Sequence, residues 1–224
     1  MDQTTAAFAE ALRQQNAAYG FCARLLRTEV DEDALAQLRA MSFPAATGND
    51  RLDAGYRGLC AYLGTGGERM RSDLAVDFLH TFIGVTQEID EVAFPYESVY
   101  TSPERLLMQD ARDEVLAAYR AAKVVLTDEV CEPEDHLAFE LEFVQLLGDR
   151  AVDALEAGDE DACAQMLEAR RTFLNEHVLN WVPAFAADVR RIARTGFYRA
   201  LADIVVGVVE VDRALLDDVL DPAA

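Results

Sequence analysis

A cluster of acidic residues and one histidine lies directly before an apolar segment of the sequence. Residues 131–136 read Cys-Glu-Pro-Glu-Asp-His, and residues 137–147 are mostly apolar. Proline suits the first position of a helix, where its missing N–H costs nothing, and carboxylates suit the positive end of the helix dipole. We therefore expect a helix to begin at Pro133, with Glu134, Asp135 and His136 in its first turn. Such a cluster could serve acid–base catalysis, metal binding or recognition of a cationic ligand, or it could simply start a structural helix with a solvated acidic end.

Catalysis and metal binding each require further residues that the sequence does not supply in a recognisable pattern. Neighbours on a helix point about 100° apart, so Asp135 and His136 do not form an orienting pair, and acyl transfer would also need a nucleophile and oxyanion donors. A di-iron bundle needs Glu-x-x-His, but Pro133 stands three residues before His136. The chain has three histidines, and its four cysteines form no Cys-x-x-Cys pair. We predict no catalytic residue, no metal site, no cofactor and no enzyme activity.

The composition is that of a globular chain with a large excess of negative charge. Hydrophobic residues make up 51% of the 224 residues, and 41 acidic against 20 basic side chains give a formal net charge of -21. This charge repels phosphate backbones and anionic membrane surfaces, so we predict no nucleic-acid partner. No apolar run approaches the roughly 20 residues of a membrane span, and the first residues lack the basic region of a secretory signal. We expect a cytoplasmic protein without stable membrane insertion.

Apolar residues recur at helical intervals along most of the chain. We therefore predict an all-α protein, a single compact multi-helix bundle forming one domain over residues 1–224. The connection of residues 123–132 separates two predicted helices, so it could also join two subdomains, 1–122 and 133–224. Within it, Val124-Val125-Leu126 resembles a strand, but one short apolar run has no neighbour to pair with.

Two boundaries before this connection bear on the site. Residues 85–101 contain Pro95 and mix acids with aromatics, so we expect a long irregular loop, and long ordered loops are often functional. Ser102-Pro103 offers a capping residue followed by proline at the first helical position. We expect a helix from there to about Ala122.

The aromatic loop of residues 94–100 lies in sequence between two phenylalanines and the acid–histidine cluster. Phe78 and Phe82 precede the loop, and Asp135 and His136 follow it. If these groups approach one another, they form an apolar groove with an anionic rim. Such a groove suits a peptide with arginines followed by apolar residues, because carboxylates accept paired guanidinium hydrogen bonds and aromatics cover the apolar part. The same aromatic residues could equally be ordinary core.

Four motifs occur in an order that resembles a known family. They are Asp77-Phe78-x-x-x-Phe82 with Gly84, Pro95-Tyr96-Glu97-Ser98-Val99-Tyr100, Glu132-Pro133-Glu134-Asp135-His136-Leu137, and Phe173-Leu174-x-Glu176-His177 with Trp181-x-Pro183-x-Phe185. Together they resemble the TorD/DmsD/NarJ-type maturation chaperones of redox enzymes. The Glu-Pro-x-Asp-His element combined with the upstream Tyr-x-Ser is the distinctive part.

The resemblance implies an all-helical, cytoplasmic, non-enzymatic chaperone. Its partners would be the N-terminal leader peptide, often of twin-arginine type, and the apo form of a molybdenum-cofactor oxidoreductase. The chaperone would prevent premature export and assist cofactor insertion. In the family, residues matching Asp135 and His136 are implicated in leader recognition, and we expect both to face the peptide. The predicted peptide-binding residues are Phe78, Phe82, Tyr96, Glu97, Ser98, Tyr100, Glu132, Asp135 and His136.

The sequence leaves some choices open. Relatives commonly carry glycine near the start of the connection where this chain has Ala122-Lys123, so a flexible hinge and domain swapping are not expected, although either a monomer or a homodimer is compatible. One alternative is a maturation factor for a reductase subunit whose leader has no twin arginine. A second alternative is a helical metal-dependent hydrolase that uses His136 and His177.

Overall fold

The computed structural model describes residues 3–84, 91–125 and 132–221. Within these ranges the chain forms ten α-helices and no β-strand, which confirms the all-α class. The helices are α1 Gln3–Arg27, α2 Glu32–Ala40, α3 Asp50–Gly64, α4 Met70–Phe78, α5 Glu97–Thr101, α6 Asp110–Ala121, α7 Leu137–Ala157, α8 Glu160–Phe173, α9 Val182–Ile192 and α10 Gly196–Leu220. Single π-helical turns, Leu79–Ile83 and Leu174–Val178, continue α4 and α8.

Local side-chain chemistry sets several helix ends. The Asp31 carboxylate accepts the Ala34 N–H at 2.7 Å and caps α2. Asn49 caps α3, because its side chain accepts the N–H groups of the first turn. Gly84 and Gly158 adopt left-handed φ angles of 71° and 77° and end the π turn after α4 and helix α7.

The chain divides into two compact units whose segments alternate along the sequence. Unit 1 consists of Met1–Ala23, Tyr96–Trp181 and Val208–Ala224, and unit 2 consists of Arg24–Pro95 and Val182–Gly207. The four boundaries between these segments follow Ala23, Pro95, Trp181 and Gly207.

Helix α7 is the most buried element of unit 1, as its apolar residues on more than one face predict. Leu137, Leu141, Val144 and Leu147 are all buried along it. The chain turns at Gly158 into α8, which packs extensively against α7. This pair of helices is the rigid support for the candidate site.

A buried polar cluster connects the sequence-distant segments of unit 1. The Arg170 guanidinium donates to Asp212 at 2.9 Å and to the Asn16 side chain, and it lies 5.2 Å from the Tyr19 ring centroid. The Tyr19 hydroxyl also donates to Asp212, at 2.9 Å. A Cβ atom on Gly148 would lie 1.8 Å from the Arg170 guanidinium, so only glycine lets α7 approach this closely. The cluster therefore fixes α1, α7, α8 and the end of α10 to one another.

The core of unit 2 contains a cluster of aromatic rings. The Phe82 ring packs edge-on against Tyr198 at 5.4 Å and stacks on Phe185 at 6.1 Å. The Asp77 carboxylate accepts the backbone N–H groups of Arg194 and Thr195 at 2.9 and 2.7 Å. This buried carboxylate therefore holds the turn between α9 and α10.

Two expectations about the middle of the chain were wrong. The expected loop of residues 85–101 ends in a short helix, α5, while residues 85–90 lie outside the described residues. No helix starts at Pro103, since α6 begins only at Asp110. The intervening segment turns sharply, with left-handed φ angles at Arg105 and Met108, and the Ser98 hydroxyl accepts the Gln109 N–H at 3.1 Å. Tertiary hydrogen bonding here overrides the local Ser-Pro signal.

The connection after α6 begins with strained backbone. Lys123 has a left-handed φ of 56°, a conformation that glycine adopts without cost. Val124 and Val125 are not part of a strand, and Leu126 lies outside the described residues. Within the described ranges, no helix is both long and apolar enough to cross a bilayer.

Candidate functional site

The two distinctive motifs pair with each other through their backbones in unit 1. Tyr96 and His136 form an isolated antiparallel bridge, and the Glu97 N–H donates to the Asp135 carbonyl at 3.0 Å. The Tyr96 and His136 rings also meet edge to face, with centroids 5.0 Å apart. The sequence signal of two separate motifs thus corresponds to one physical site.

Asp135 lies at the centre of this site and is fully buried. Its Oδ2 atom accepts the Ser98 N–H at 2.9 Å and the Ser98 hydroxyl. Its Oδ1 atom finds no hydrogen-bond donor among the described residues. The Asp135 carboxylate therefore caps the first turn of α5, although it lies 37 residues further along the chain. This contact explains why the Tyr-x-Ser element and the Asp-His element occur together.

His136 is the N-cap of α7, so the expectation that Pro133 begins this helix was wrong. Its Nδ1 atom accepts the Ala138 N–H at 3.0 Å, which assigns the neutral ring's proton to Nε2. The backbone of residues 133–136 is instead bent into a turn that the bridge to Tyr96 requires. Pairing between the motifs overrides the local proline signal.

Asp135 and His136 do not face outward as expected. Asp135 is 0% exposed and His136 is 6% exposed, because their side chains satisfy backbone N–H groups. Their part in leader recognition stays a prediction. In this conformation, Asp135 and His136 would act in leader recognition mainly by positioning the residues around them.

The accessible acidic side of the site consists of two glutamates. Glu132 is exposed, and its carboxylate accepts the Tyr96 hydroxyl, while burial, followed by this carboxylate, raises the pKa of Tyr96. Glu134 is partly buried and forms a two-point ion pair with Arg112, in which Arg112 Nη2 lies 3.0 Å from Glu134 Oε1. Glu132 is thus the most accessible carboxylate among the nine predicted residues.

Behind the paired motifs lies a cluster of buried ionisable groups. The Glu97 carboxylate, only 2% exposed, is 3.1 Å from His177 Nδ1 and accepts the Asn180 amide at 2.8 Å. Trp181 Nε1 donates to Glu140 at 3.2 Å. Burial, together with the nearby negative charges of Glu97 and then Asp135, holds the pKa of Glu140 well above its ordinary value.

Sequence reasoning did not place these supporting residues in the site. His177 was named in the fourth motif and in the metal-dependent alternative, whereas Glu140 and Asn180 were not predicted to lie in the site. The Glu-His and Trp elements of the fourth motif were the available signal. Within the described residues, no group of three or more His, Cys, Asp or Glu side chains is arranged to hold a metal ion.

The predicted aromatic residues fall into both units. Tyr100 is partly buried in unit 1, where it stacks on Trp181 with ring centroids 5.4 Å apart. Phe78 and Phe82 belong to unit 2 and are buried in its core, where each contacts Tyr198. Contact of these three side chains with a peptide stays a prediction.

Unit 1 also contains an apolar cavity that the sequence did not predict. Its volume is about 590 Å³, and α6, α7 and α8 line it. Helix α7 contributes Phe143 and Leu147, α6 contributes a row of alanines, and α8 contributes Ala169 and Phe173. His177, which contacts Glu97 on the paired motifs, lines the same cavity.

The fold and this site define an all-α protein built around two motifs that pair across the chain. A family model described as the nitrate reductase delta subunit matches residues 49–187, so the chain belongs to that family. The resemblance drawn from the sequence is thereby confirmed at the level of the family.

Similar proteins carry the name chaperone protein TorD. The one from Photobacterium profundum is 30% identical over 149 residues, covering 66% of this chain and 66% of that protein. The one from Vibrio cholerae serotype O1 (strain ATCC 39541 / Classical Ogawa 395 / O395) is 32% identical over 153 residues, covering 66% and 64%. The one from Aliivibrio fischeri (strain ATCC 700601 / ES114) is 33% identical over 151 residues, covering 66% of each. The chain spans a little less than two thirds of the length of these relatives.

Proposed function

We propose that this protein is a non-enzymatic, cytoplasmic maturation chaperone. Its client is the apo form of a molybdenum-cofactor oxidoreductase, and it binds the client's N-terminal leader peptide of twin-arginine type. By holding the leader it prevents premature export and assists cofactor insertion and assembly. Membership of the family and the relatives named as chaperones support this proposal.

The observation that carries the proposal is the pairing of the two distinctive motifs into one acidic site. Glu132 and Glu134 lie on its accessible side, and Glu97 and Asp135 lie behind them. Buried carboxylates attract a cation at the surface when the intervening medium screens poorly. An arginine side chain is the natural cation for such a site, because it binds carboxylates through two parallel hydrogen bonds.

In this proposal, the nine predicted residues have different roles. Glu132 contacts the leader arginines directly and is held by the Tyr96 hydroxyl, and the partly exposed Tyr100 offers ring surface to the leader. Asp135, Ser98, His136 and Glu97 hold the backbone that presents these groups. Phe78 and Phe82 stabilise the core of unit 2.

Isothermal titration of the purified protein with a synthetic twin-arginine leader at low salt tests the proposal. We expect binding, and we expect a leader with both arginines replaced by alanine to bind at least tenfold more weakly. Binding of both leaders with equal affinity would favour the alternative client, a reductase subunit without a twin-arginine leader. Failure of both leaders to bind would contradict leader recognition altogether.

A pair of matched variants tests the site. Glu132→Gln removes the exposed carboxylate, and we expect about tenfold weaker leader binding, as for loss of one charge-assisted hydrogen bond. Asp153→Asn removes one exposed charge from α7 outside the site, and we expect unchanged affinity. Equal effects of the two variants would indicate attraction by net charge alone.

A further inference from the structure

We infer that the cavity between α6, α7 and α8 binds the apolar stretch of the leader peptide. This inference rests on the proposed function and deepens it. It places the apolar part of the ligand at residues that none of the sequence motifs identified, apart from Phe173, Glu176 and His177. All the residues that line this cavity belong to unit 1.

The cavity has the size and lining of a ligand site. Its volume of about 590 Å³ falls in the range of roughly 300–1,000 Å³ typical of binding pockets. Ala118 and Ala121 line it from α6, Ala122 lines it just after α6, and Ala169 and Thr172 line it from α8. Because these side chains are small, a peptide backbone can approach the helices closely while its apolar side chains reach Phe143 and Leu147.

The cavity is long enough for several residues of peptide. Helices α7 and α8 are joined by the turn at Gly158, so Arg150 and Met166 lie toward one end and Phe143 and Phe173 toward the other. The Phe143 and Phe173 ring centroids are 4.7 Å apart. From Met166 to Glu176 a helix rises roughly 15 Å, enough for about ten helical or four to five extended residues.

Apart from Glu168, which also lines the cavity and is ion-paired with Arg171, the two ends of the cavity carry opposite charges. Glu176 and His177 lie at one end, and His177 Nδ1 is 3.1 Å from Glu97 of the paired motifs. Lys123 and Arg150 lie at the other end, where the Arg150 guanidinium donates to the Ala122 carbonyl at 2.7 Å. A peptide with arginines before its apolar residues therefore fits in one direction, with its cationic part toward Glu176 and its apolar part running toward Lys123.

Val125 follows Lys123 by two residues and is 89% exposed. The occupant that matches these features is a helical or extended apolar segment preceded by arginines.

A matched pair of tryptophan variants tests the inference. Ala169 is exposed and lines the cavity, so Ala169→Trp fills the cavity without disturbing the core. Ala164 is exposed on the same helix and does not line the cavity, so Ala164→Trp is the control. We expect Ala169→Trp to weaken leader binding at least tenfold in isothermal titration and Ala164→Trp to leave it within twofold, with both thermal unfolding midpoints near that of the wild type.

The single lysine of the chain gives a second readout. Lys123 is exposed at the cationic end, so an amine-acylating reagent modifies Lys123 and the terminal amine only. We expect saturating leader to slow modification of Lys123, measured by mass spectrometry of peptides, severalfold. A leader whose apolar residues are replaced by serine should not protect it.

The outcomes separate this inference from the proposed function. If the wild-type protein binds the leader but Ala169→Trp and Ala164→Trp behave alike and Lys123 is not protected, the cavity is not the site and the proposed function stands. If the wild-type protein does not bind the leader, both are overturned. Weak binding by Ala169→Trp together with protection of Lys123 supports the cavity.

Discussion

At the scale of single residues, the site separates carboxylates that meet solvent from carboxylates that hold the backbone. Asp135 is fully buried and uses one oxygen to fix Ser98, whereas Glu132 is exposed and accepts only the Tyr96 hydroxyl among its identified contacts. A buried donor that loses its acceptor costs about 1–3 kcal/mol for each unsatisfied group. Substitution of the buried acids therefore perturbs folding and binding together, and Glu132 is the better probe of binding.

Glu140 makes the stability of the protein depend on pH. Its pKa lies well above the ordinary 4.5 because it is buried near Glu97 and Asp135, so the folded state keeps a proton that the unfolded chain releases. This contribution is fully present below about pH 4.5 and is lost as the pH rises toward the folded-state pKa.

We predict that Glu140→Gln gains stability relative to the wild type as the pH rises from 5 to 8. The difference grows by about 1.4 kcal/mol per pH unit until the folded-state pKa is reached. Glutamine keeps an oxygen to accept from Trp181, the only tryptophan, whose fluorescence can follow urea unfolding. Glu142→Gln on the exposed face of α7 is the control. A difference between wild type and Glu140→Gln that does not change with pH would show that Glu140 is ionised throughout.

The sequence identified the residues of the site better than their roles. Asp135, His136 and Ser98 were all named, and the structure brings them together. Their burial could not be read from the sequence, because it depends on two segments 37 residues apart meeting through hydrogen bonds. Nothing local distinguishes an aspartate that caps a distant helix from one that faces a ligand.

At the scale of elements, the main errors concerned where helices begin. Ser102-Pro103 and Pro133 both carry the local signal for a helix start, yet α6 and α7 begin at Asp110 and Leu137. In both places the backbone instead bonds to the Tyr96–Ser98 segment: Gln109 donates to the Ser98 hydroxyl, and His136 forms a bridge with Tyr96. Helix existence and type followed from apolar spacing, which tertiary structure does not change.

The end of α6 offers a test of backbone strain. Lys123 adopts a left-handed φ of 56°, which costs an L-residue about 1–2 kcal/mol. We predict that Lys123→Gly raises the free energy of unfolding by about 0.5–1 kcal/mol, since glycine's greater chain entropy offsets part of the relief. Lys123→Ala removes the charge but keeps the strain and should not stabilise the protein. Equal urea midpoints for Lys123→Gly and Lys123→Ala would contradict the strain.

At the scale of the whole molecule, charge is the dominant property. A net charge of -21 surrounds a site proposed to bind a cationic peptide. Long-range attraction of this kind raises association rates and is screened over about 8–10 Å at 0.10–0.15 M salt. The acidity that excluded nucleic acid in the sequence therefore favours capture of arginine-bearing leaders.

We predict that leader binding weakens with salt mainly through slower association. Between about 0.05 and 0.5 M NaCl, the association rate constant should fall on the order of tenfold, while the dissociation rate changes little. Stopped-flow measurement of the leader with a fluorescent label gives both rates. The leader with alanine in place of its arginines should show a much smaller dependence. If the association rates of the two leaders depended equally on salt, peptide residues other than the arginines would carry the attraction.

Fold class and family were accessible from the sequence, but the apolar cavity was not. Helical spacing and the order of four motifs are linear properties of the chain, and they gave the correct class and family. The cavity arises where alanines of α6 face Ala169 and Thr172 of α8. Alanine in a helix carries no signal of what it faces, so this surface became visible only in three dimensions.

The alternation of segments between the two units has a consequence for biosynthesis. Unit 1 needs residues from both ends of the chain, and the buried Arg170 has its carboxylate partner, Asp212, on the last helix. During synthesis on the ribosome, Arg170 therefore has no carboxylate partner until Asp212 has been translated. Since an unpaired buried charge is strongly unfavourable, unit 1 cannot close earlier. A nascent chain stopped short of Asp212 would thus lack a complete unit 1.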